Sequence, residues 1–409
     1  MKREIAVVGG GLAGYAAALG FAEGGFDTVL LAPAAAADRR STALIGPSVD
    51  LMERIGVWPR LAGKAQAMTG MRIVDDTGSL LRAPTVEFRA AEIGRDRLGV
   101  NVLNADLSAA LREAADANDR LEIVEDQAAG LDVDGECARI ATRTGRSIEA
   151  SLVVAADGRN SRLRGEAGID MRTWSYPQSA IVLNFGHERA HDCISTEFHR
   201  RAGPFTQVPM KGRRSSLVWV EEPEIADLIR DLEPSKLAAR IEANMHSMLG
   251  AVEVEDGLQV FPISGGHSSA LTAPRLALVG EAAHVVPPIG AQGLNLGLRD
   301  AAAIVEAAQS RRDDPGAGEV LRRYESARRV DIATRSAGVD LLNRSLLTDF
   351  APTRVGRTLG LGALAAFGPL RRMAIREGLS PGAALRHGWR SARPFRHARE
   401  VGDGSDRNA

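Results

Sequence analysis

The chain has 409 residues, of which 44% are hydrophobic and 25% are charged, and its net charge is −1. This composition is typical of a globular protein with a sizeable core, and the near-neutral charge excludes a general attraction to nucleic acid. Its two cysteines, Cys137 and Cys193, stand in no metal-ligand spacing, which argues against a disulfide scaffold and fits a reducing cytosol. We find no signal peptide and no apolar run near the ~20 residues that span a bilayer. We therefore expect a cytoplasmic protein, with peripheral contact at the inner face of the membrane as an alternative.

The first informative segment is residues 5–14, which read IAVVGGGLAG. Four consecutive apolar residues predict a buried parallel strand, followed by a helix over 15–23 and a second strand over 27–31. In the G-x-G-x-x-G between strand and helix, the first glycine permits a tight turn and the second lets the backbone approach a pyrophosphate. The third glycine lets helix and strand pack closely, and the helix N-terminus adds amide donors and a partial positive charge. The segment therefore predicts a dinucleotide site at Gly9, Gly11, Leu12, Ala13 and Gly14.

The acidic residue that usually binds the ribose is missing from this dinucleotide site. It is expected ~20 residues beyond the glycines, at the end of the second strand. The chain has Ala32 and Pro33 there, and the nearest carboxylate is Asp38. We therefore expect a backbone group, a water or a displaced side chain to hold the ribose.

Two later segments have strand-end turns that carry a carboxylate. Residues 151–162 read SLVVAADGRNSR, an apolar strand that runs into Asp157; taken alone, this is an ordinary strand-end turn. Residues 275–300 read RLALVGEAAHVVPPIGAQGLNLGLRD. There a strand ends at Glu281, which can accept hydrogen bonds from ribitol hydroxyls, and a Gly/Pro loop leads into a helix over 294–308. This loop offers free amides to an electron-rich ring, although such loops also simply connect a strand to a helix.

In this order and at these separations, the three segments resemble the group A flavoprotein monooxygenases of the p-hydroxybenzoate hydroxylase type. The resemblance implies that the first segment binds the ADP half of FAD and that the second lies near FAD and the nicotinamide donor. The third is implied to bind the ribitol and to flank the isoalloxazine. Glu281 stands where most relatives have Asp and Ala291 where Gly is common, and both departures are mild. The cofactor residues implied by the two later segments are Asp157, Gly280, Glu281, Pro287, Pro288, Gly290, Ala291, Gln292, Gly293, Leu294 and Asn295.

Within that group the chain is most similar to the ubiquinone-biosynthesis hydroxylases. The similar segments are 40–44 (RSTAL), 51–58 (LMERIGVW), 174–180 (WSYPQSA), 197–204 (EFHRRAGP), 287–300 and 340–344 (DLLNR). Arg40, in the first of these, is implied to lie near the flavin. The implied reaction is hydroxylation of a polyprenylated phenol. Substrate preference shifts easily on a shared fold, so three alternatives stay open: another aromatic substrate such as a small aromatic acid, a secondary metabolite, and a non-catalytic FAD-fold subunit of a biosynthetic complex.

The resemblance also implies which parts of the reaction the cofactor performs and which the protein performs. NAD(P)H reduces the flavin, dioxygen supplies the oxygen atom, and the protein positions the ring, excludes water and helps to deprotonate the phenol. Since the sequence has one glycine-rich dinucleotide site, we expect NAD(P)H to bind transiently. The tentative catalytic residues are His284, which follows the carboxylate of the third segment, and Gln178 and His199 in the middle of the chain. For His284, a structural hydrogen bond beneath the loop is the alternative.

Residues 187–191 read HERAH, which is a literal H-E-x-x-H zinc motif. On a helix this spacing places both imidazoles on one face, where they can bind zinc with a third ligand. Here Gly186 precedes the motif and strand-like residues flank it, so we predict a hairpin turn. The sequence predicts no metal site.

Taken together, the patterns predict an α/β fold with a Rossmann-like FAD-binding domain, a mostly antiparallel β-sheet substrate domain and C-terminal helices. The predicted boundaries are 1–175 and 266–345 for the FAD-binding domain, 176–265 for the substrate domain, 346–385 for the helices and 386–409 for a disordered basic tail. Within the substrate domain we expect strands at 180–185, 194–198 and 216–220 and a helix at 234–249, with the substrate between the two domains. The many arginines beyond residue 370 indicate a solvated terminus or contact with anionic lipid or a partner protein. Oligomeric state is left open.

Overall fold

The structure is a computed structural model of the chain and describes residues 1–33, 38–79, 82–347 and 351–379. Its strands are β1 (Lys2–Val8), β2 (Thr28–Leu31), β3 (Ser41–Ile45), β4 (Gln66–Met68), β5 (Gly70–Asp75), β6 (Val86–Arg89), β7 (Gly99–Leu103), β8 (Leu121–Val124), β9 (Ala128–Val133), β10 (Ala138–Thr142), β11 (Ser147–Ala155), β12 (Met171–His187), β13 (Ile194–His199), β14 (Pro204–Met210), β15 (Arg214–Glu221), β16 (Val252–Val254), β17 (Gln259–Ser268), β18 (Thr272–Ala273), β19 (Leu276–Leu278) and β20 (His284–Val285). Its α-helices are α1 (Leu12–Glu23), α2 (Pro47–Arg54), α3 (Trp58–Leu61), α4 (Asn104–Asp116), α5 (Arg162–Glu166), α6 (Pro223–Arg230), α7 (Pro234–Asn244), α8 (Gln292–Gln309), α9 (Gly318–Leu347), α10 (Ala351–Ala366) and α11 (Gly368–Leu379).

The first sheet is the Rossmann-like sheet that the sequence predicted. Its strands run in the order β18-β19-β11-β1-β2-β8, and β1 lies parallel to both β11 and β2. Helices α1 and α8 pack on one another over this sheet, so its central strands are buried on both faces. The apolar runs that end at Val8, Leu31, Ala155 and Leu278 therefore bring the carboxyl ends of four strands to one edge.

The second sheet is mostly antiparallel, with strand order β20-β17-β12-β15-β14-β13-β5-β6. The predicted strands at 180–185, 194–198 and 216–220 are confirmed as parts of β12, β13 and β15, whereas β14 and β17 were not predicted. The predicted helix at 234–249 forms as α7 but ends at Asn244. Strands β5 and β6 come from the N-terminal part of the chain, so this sheet is assembled from separate stretches. The predicted domain boundaries stay a prediction.

The two faces of the second sheet have different partners. One face buries a cluster against α6 and α7 that includes Leu183, Phe185, Leu217 and Trp219. The other face is turned toward a third sheet, in which β7 lies between β3 and β4. There the hydroxyls of Ser41 on β3 and Ser216 on β15 are 2.7 Å apart, and Asn184 on β12 donates to the Arg39 carbonyl at 3.0 Å. Because residues two apart on a strand share a face, this second face also carries Val218 and Val182.

The C-terminal helices close the molecule beside the second sheet. Leu361 on α10 packs against Ala83 and Val86 near β6, and Arg371 on α11 forms an ion pair with Glu92 at 2.7 Å. In the part of the chain that the structure describes, no helix is long and apolar enough to cross a membrane. The predicted tail at 386–409 lies outside the described residues.

Candidate active site

The glycine segment forms a tight turn between β1 and α1. Gly9 has φ +126°, and a Cβ there would lie 2.1 Å from the Ala156 carbonyl oxygen. A Cβ on Gly14 would lie 2.0 Å from the Gly9 carbonyl oxygen, whereas a Cβ on Gly11 would meet nothing within 4 Å. Gly9 and Gly14 are thus required by the packing of the protein itself, and Gly11 faces open space that an incoming group can occupy.

The N-terminus of α1 is open to an anion. Gly11 is its N-cap residue, no side chain caps the helix, and its first turn contains no acidic residue. The first amide groups of a helix have no partner within the helix, so those of Leu12 and Ala13 are available to a ligand. A pyrophosphate satisfies both these donors and the positive end of the helix dipole.

The Asp-Gly segment packs directly against this turn. Oδ2 of Asp157 accepts hydrogen bonds from the amides of Arg162 and Leu163 at 2.9 and 3.3 Å. Its Oδ1 is buried and has no hydrogen-bond partner among the described residues. A buried carboxylate oxygen without a partner is costly, so this atom is a candidate contact for a ligand beside Gly9.

The Gly-carboxylate segment meets the first segment from the other side. A Cβ on Gly280, which has φ +64°, would lie 3.5 Å from Cβ of Ala13, so β19 and α1 bring the two segments together. Glu281 is half exposed and forms a 3.4 Å ion pair with Arg159. Its carboxylate therefore lies at the open edge of the sheet, where the resemblance places the ribitol.

The loop before α8 has two consecutive residues with positive φ. They are Gly290 at +62° and Ala291 at +54°, and Ala291 is the N-cap of α8 in a left-handed conformation that favours Gly and costs an alanine about 1–2 kcal/mol. Asn295 is fully buried, with its side-chain nitrogen donating to the carbonyls of Ala43 and Ala291 at 2.7 and 2.6 Å. Its Oδ1 accepts the Ile45 amide at 3.0 Å. Asn295, predicted as a cofactor contact, thus ties the loop to β3.

The remaining predicted residues of this loop surround the same open helix end. The N-terminus of α8 has no side-chain cap and no acidic residue in its first turn, as at α1. Oε1 of Gln292 is buried without a hydrogen-bond partner, while its Nε2 donates to the Gly290 carbonyl at 2.9 Å. The loop residues that frame this end are Pro287, Pro288, Gly290, Ala291, Gln292, Gly293 and Leu294.

Arg40 lies close enough to Glu281 for their charges to interact, while its implied position near the flavin stays a prediction. Its guanidinium pairs with Asp38 at 2.7 Å and stacks 5.4 Å from the ring centre of Phe261. The hydrogen bond that Arg40 donates to Asp38 raises the pKa of Arg40, and the charge of Glu281 acts in the same direction. Asp38 also accepts a hydrogen bond from Asn104 at 2.8 Å. Asp38 is the carboxylate nearest in sequence to Ala32, where the ribose-binding acid is expected. Its side chain already bonds to Arg40 and Asn104.

A buried charge network that was not predicted supports the Gly-carboxylate segment from behind. Asp300 on α8 is completely buried and accepts hydrogen bonds from the Gly280 amide at 3.0 Å, His284 at 2.6 Å and Arg328 at 2.7 Å. Burial alone would raise the pKa of Asp300, but the charges of His284 and Arg328 hold it below its ordinary value. His284 thus makes the structural hydrogen bond beneath the loop, which was the alternative to a catalytic role. Asp300 ends the third segment, yet no local pattern indicated its role.

His199 lies on the face of the second sheet that is turned toward the third sheet. It is buried and bonded through Nε2 to Glu197 Oε1 at 2.7 Å, while its Nδ1 is buried without a partner. Glu197 pairs in register with Thr206 and Thr206 with Val218, and cross-strand pairs share a face. The Glu197–His199 pair therefore belongs to the same face as Val218. Sequence reasoning had proposed the histidine and missed the glutamate.

Gln178 is fully buried at the contact between the second sheet and α9. Its Nε2 donates to the Ala202 carbonyl at 2.6 Å, and its Oε1 accepts from Asn343 at 2.8 Å. Both ends of its amide group are engaged by the protein, so the structure gives Gln178 a role in joining β12 to α9. Its predicted contact with a substrate ring stays a prediction.

The H-E-x-x-H segment does not form a helix. His187 ends β12, and the next four residues form a turn that leads to β13. The predicted hairpin is wrong, because the two strands that flank this turn do not pair with each other. Strand β12 pairs with β15 and β17, and β13 pairs with β14 and β5. His187 bonds to the Arg189 carbonyl and Ser215, and His191 to the Met210 carbonyl. Among the described residues, no group of three or more His, Cys, Asp or Glu side chains is placed to hold a metal ion.

The arrangement at the sheet edge fits FAD. Two open helix N-termini, the space above Gly11, and the unpartnered oxygens of Asp157 and Gln292 are features that the protein leaves unsatisfied. A long ligand with a pyrophosphate at one end and a hydrogen-bonding ring system at the other satisfies them together.

Comparison with known proteins agrees with this geometry. Residues 2–336 match the family described as "FAD binding domain". "Ubiquinone hydroxylase UbiL" of Rhodospirillum rubrum is 35% identical, with 92% of this chain and 89% of that protein covered. "3-demethoxyubiquinol 3-hydroxylase" of Escherichia coli is 32% identical, with 92% of this chain and 98% of that protein covered. The fold resembles that of p-nitrophenol 4-monooxygenase PnpA from Pseudomonas putida, with a TM-score of 0.75 at 19% identity over 91% of this chain and 97% of the other.

Proposed function

Because the chain belongs to the FAD-dependent aromatic-ring monooxygenases, we propose that its substrate is a polyprenylated phenol on the route to ubiquinone. The observation that carries the substrate class is the chemistry of the sheet face above the flavin site. That face presents Val182, Val218 and the Glu197–His199 pair. Arg214, in the same row, is held by two hydrogen bonds to Glu255 at 2.6 and 2.7 Å. Two valines beside a paired arginine offer no free cation to an anionic ligand and suit a neutral phenol.

FAD, when bound, would supply the redox chemistry, with NAD(P)H as the reductant and dioxygen as the source of the oxygen atom. The α1 N-terminus and Gly11 would hold the pyrophosphate, and Glu281 would accept hydrogen bonds from the ribitol. The loop before α8, which Asn295 ties to β3, would hold the ring system.

Hydroxylation of a phenol needs an acceptor for the proton of the ring hydroxyl, because the phenolate is the more electron-rich form. In the proposed function this acceptor is the Glu197–His199 pair. Glu197 holds one side of the imidazole, as a carboxylate that orients a histidine base does, and Nδ1 of His199 is left without a protein partner. Thr206 donates a further hydrogen bond to Glu197 at 3.3 Å.

A small aromatic acid is the second candidate substrate. Such a ligand carries a carboxylate and is best held by a free arginine or lysine. Arg214 is paired with Glu255 and Arg40 with Asp38, so neither arginine is free to hold a carboxylate. The charges on this face therefore favour the neutral phenol.

A peripheral position at the inner membrane face completes the proposal. A polyprenyl chain is soluble in the bilayer and not in water, so an enzyme that takes such a substrate gains from contact with the membrane surface. The described helices include no span that could cross the bilayer, so this contact is surface contact in the proposal.

The experiment is a mass-spectrometric profile of prenylated quinone intermediates in a strain that lacks this gene and any redundant hydroxylase. The proposal predicts accumulation of a prenylphenol that lacks one ring hydroxyl, and the structure of that compound identifies the position modified. Complementation with the wild-type gene restores ubiquinone. An unchanged profile contradicts the proposed substrate and leaves an FAD monooxygenase that acts on another aromatic compound.

A further inference from the structure

The surface of the C-terminal helices is unusually apolar. Most of the large hydrophobic side chains that are exposed in the described chain lie between residues 330 and 373. Three of them follow one another at helical spacing at the start of α11: Phe367, Leu370 and Met373, which are 63%, 36% and 49% exposed. We name these three residues the α11 patch. Contiguous exposed apolar side chains on a surface mark an interaction site.

The α11 patch is presented by a helix whose inner side is firmly held. Ile375 and Leu379 are buried, and the Leu379 carbonyl packs against Gly46 next to β3. Arg371 pairs with Glu92 and donates to the last carbonyls of α10 at 3.1 and 3.0 Å. Arg335 on α9 donates to the Glu377 and Gly378 carbonyls at 2.6 and 3.2 Å. The exposure of the patch is therefore not a frayed helix end.

Two arginines and one glutamate lie beside the patch. Arg372 and Arg376 are exposed and take part in no ion pair among the described residues, in contrast to Arg371, and the exposed Glu377 follows Met373 by one helical turn, so the local charge is net positive. Apolar side chains beside unpaired arginines on the outer side of a helix are the combination that binds an anionic lipid surface, where the apolar groups enter the headgroup boundary and the cations contact phosphates.

We propose that the α11 patch docks the enzyme onto an anionic lipid bilayer through its three apolar side chains and these two arginines. The substrate proposed above gives this surface a use, because Leu379 at the end of α11 touches the segment next to β3 at the flavin site. The surface itself carries the inference, whatever the substrate.

Two other occupants fit the charges less well. A second copy related by a two-fold axis through the patch would bring the arginines of both copies together. The segment 380–409 of this chain carries Arg386, Arg390, Arg393, Arg396 and Arg399, and its positive charge opposes contact with Arg372 and Arg376. An anionic surface meets neither repulsion.

The test is sedimentation of the full-length, FAD-containing protein with phosphatidylcholine vesicles that contain or lack phosphatidylglycerol, in the absence of substrate. We expect wild-type protein to bind the phosphatidylglycerol vesicles and to dissociate as salt is raised. F367S/L370S/M373S should lower the partition coefficient at least about tenfold on both vesicle types. R372Q/R376Q should lower binding about tenfold on the anionic vesicles and little on the neutral ones.

The matched control is L228S on α6, where Leu228 is 66% exposed; it should bind as wild type does. Thermal unfolding and FAD content should be equal in all variants, since every substituted side chain is exposed. Wild-type protein that binds no vesicles, or a triple variant that binds as wild type does, overturns the proposal. A triple variant that keeps vesicle binding but changes from dimer to monomer in sedimentation velocity assigns the patch to a second copy. Wild-type protein that binds vesicles but does not act on prenylphenols would contradict the proposed substrate and leave the proposed role of the α11 patch standing.

Discussion

The cofactor end and the substrate end of this enzyme are built from different parts of the chain. At the cofactor end, most of the proposed binding groups are backbone atoms of short segments: the open space at Gly11 and the N-termini of α1 and α8. At the substrate end, side chains from several strands meet across one sheet face, as Glu197, Thr206 and Val218 do. The first end tolerates almost no change in main-chain shape, while the second is altered by changing single side chains. This difference explains how one fold keeps FAD and accepts many substrates.

The largest expected effect comes from the glycine turn, where two alanine substitutions should act differently. Gly14→Ala places a Cβ 2.0 Å from the Gly9 carbonyl oxygen, so it should lower the free energy of unfolding by about 3 kcal/mol or more. Gly11→Ala meets no protein atom and should leave the unfolding of the apoprotein unchanged while it raises the Kd for FAD about tenfold or more. Denaturant unfolding of the apoprotein and flavin fluorescence titration measure the two quantities. Equal destabilisation by both variants would contradict the assignment of Gly11 to the ligand.

Asp300→Asn tests the buried support of the cofactor end. Removing this charge leaves His284 and Arg328 without their shared partner and should cost about 3 kcal/mol of stability. The effect has a pH dependence, because the pKa of Asp300 is held below its ordinary value in the folded protein. Its contribution is therefore complete above the unfolded pKa of about 4 and is lost as pH falls through the lower folded pKa. Unfolding measured against pH should be steeper in the wild-type protein than in the variant at acidic pH, and parallel curves would contradict this account.

Glu197→Gln tests the substrate end. The variant keeps the shape of the side chain but loses the charge that orients His199, so kcat should fall about 100-fold with FAD affinity unchanged. The control is Glu255→Gln, which breaks the ion pair with Arg214 on the same face and should leave kcat near that of wild type. A variant of Glu197 with wild-type kcat would remove the pair from the mechanism.

The smallest expected effect is at Glu281. This half-exposed carboxylate is proposed to accept hydrogen bonds from the ribitol, so Glu281→Ala should weaken FAD binding about tenfold. Glu281→Asp, which installs the residue common in relatives, should bind FAD within about threefold of wild type. Full flavin occupancy in the alanine variant, measured by absorbance after dialysis, would count against the assignment.

The same comparison explains what could be predicted from the sequence. The first sheet, the three cofactor segments and Arg40 follow from contiguous patterns, because each depends on neighbours within a few residues along the chain. Asp300, Glu197 and Asn343 could not be identified in this way, since their partners are brought together by tertiary packing. Asp300 illustrates the limit: it ends a recognised segment, but its contacts with Gly280 and Arg328 are 20 and 28 residues away.

The two errors in the prediction of structure have similar causes. The residues 187–191 were expected to form a hairpin turn, but strand partners are chosen over the whole sheet, and β12 lies between β15 and β17. The helix predicted to reach residue 249 ends at Asn244, because the next residues turn to bring β16 beside β12. In both cases the local sequence pattern predicted the type of element correctly. Long-range strand pairing decided where the helix ends and which strands become neighbours.

The most direct test of the account is single-turnover hydroxylation by the purified enzyme, with NAD(P)H, a short-chain prenylphenol and isotopically labelled dioxygen. The account predicts that the phenol accelerates NAD(P)H oxidation and that one labelled oxygen atom is incorporated into its ring. A small aromatic acid should give little acceleration. NAD(P)H oxidation that the prenylphenol does not change, with no labelled product, would contradict the proposed substrate.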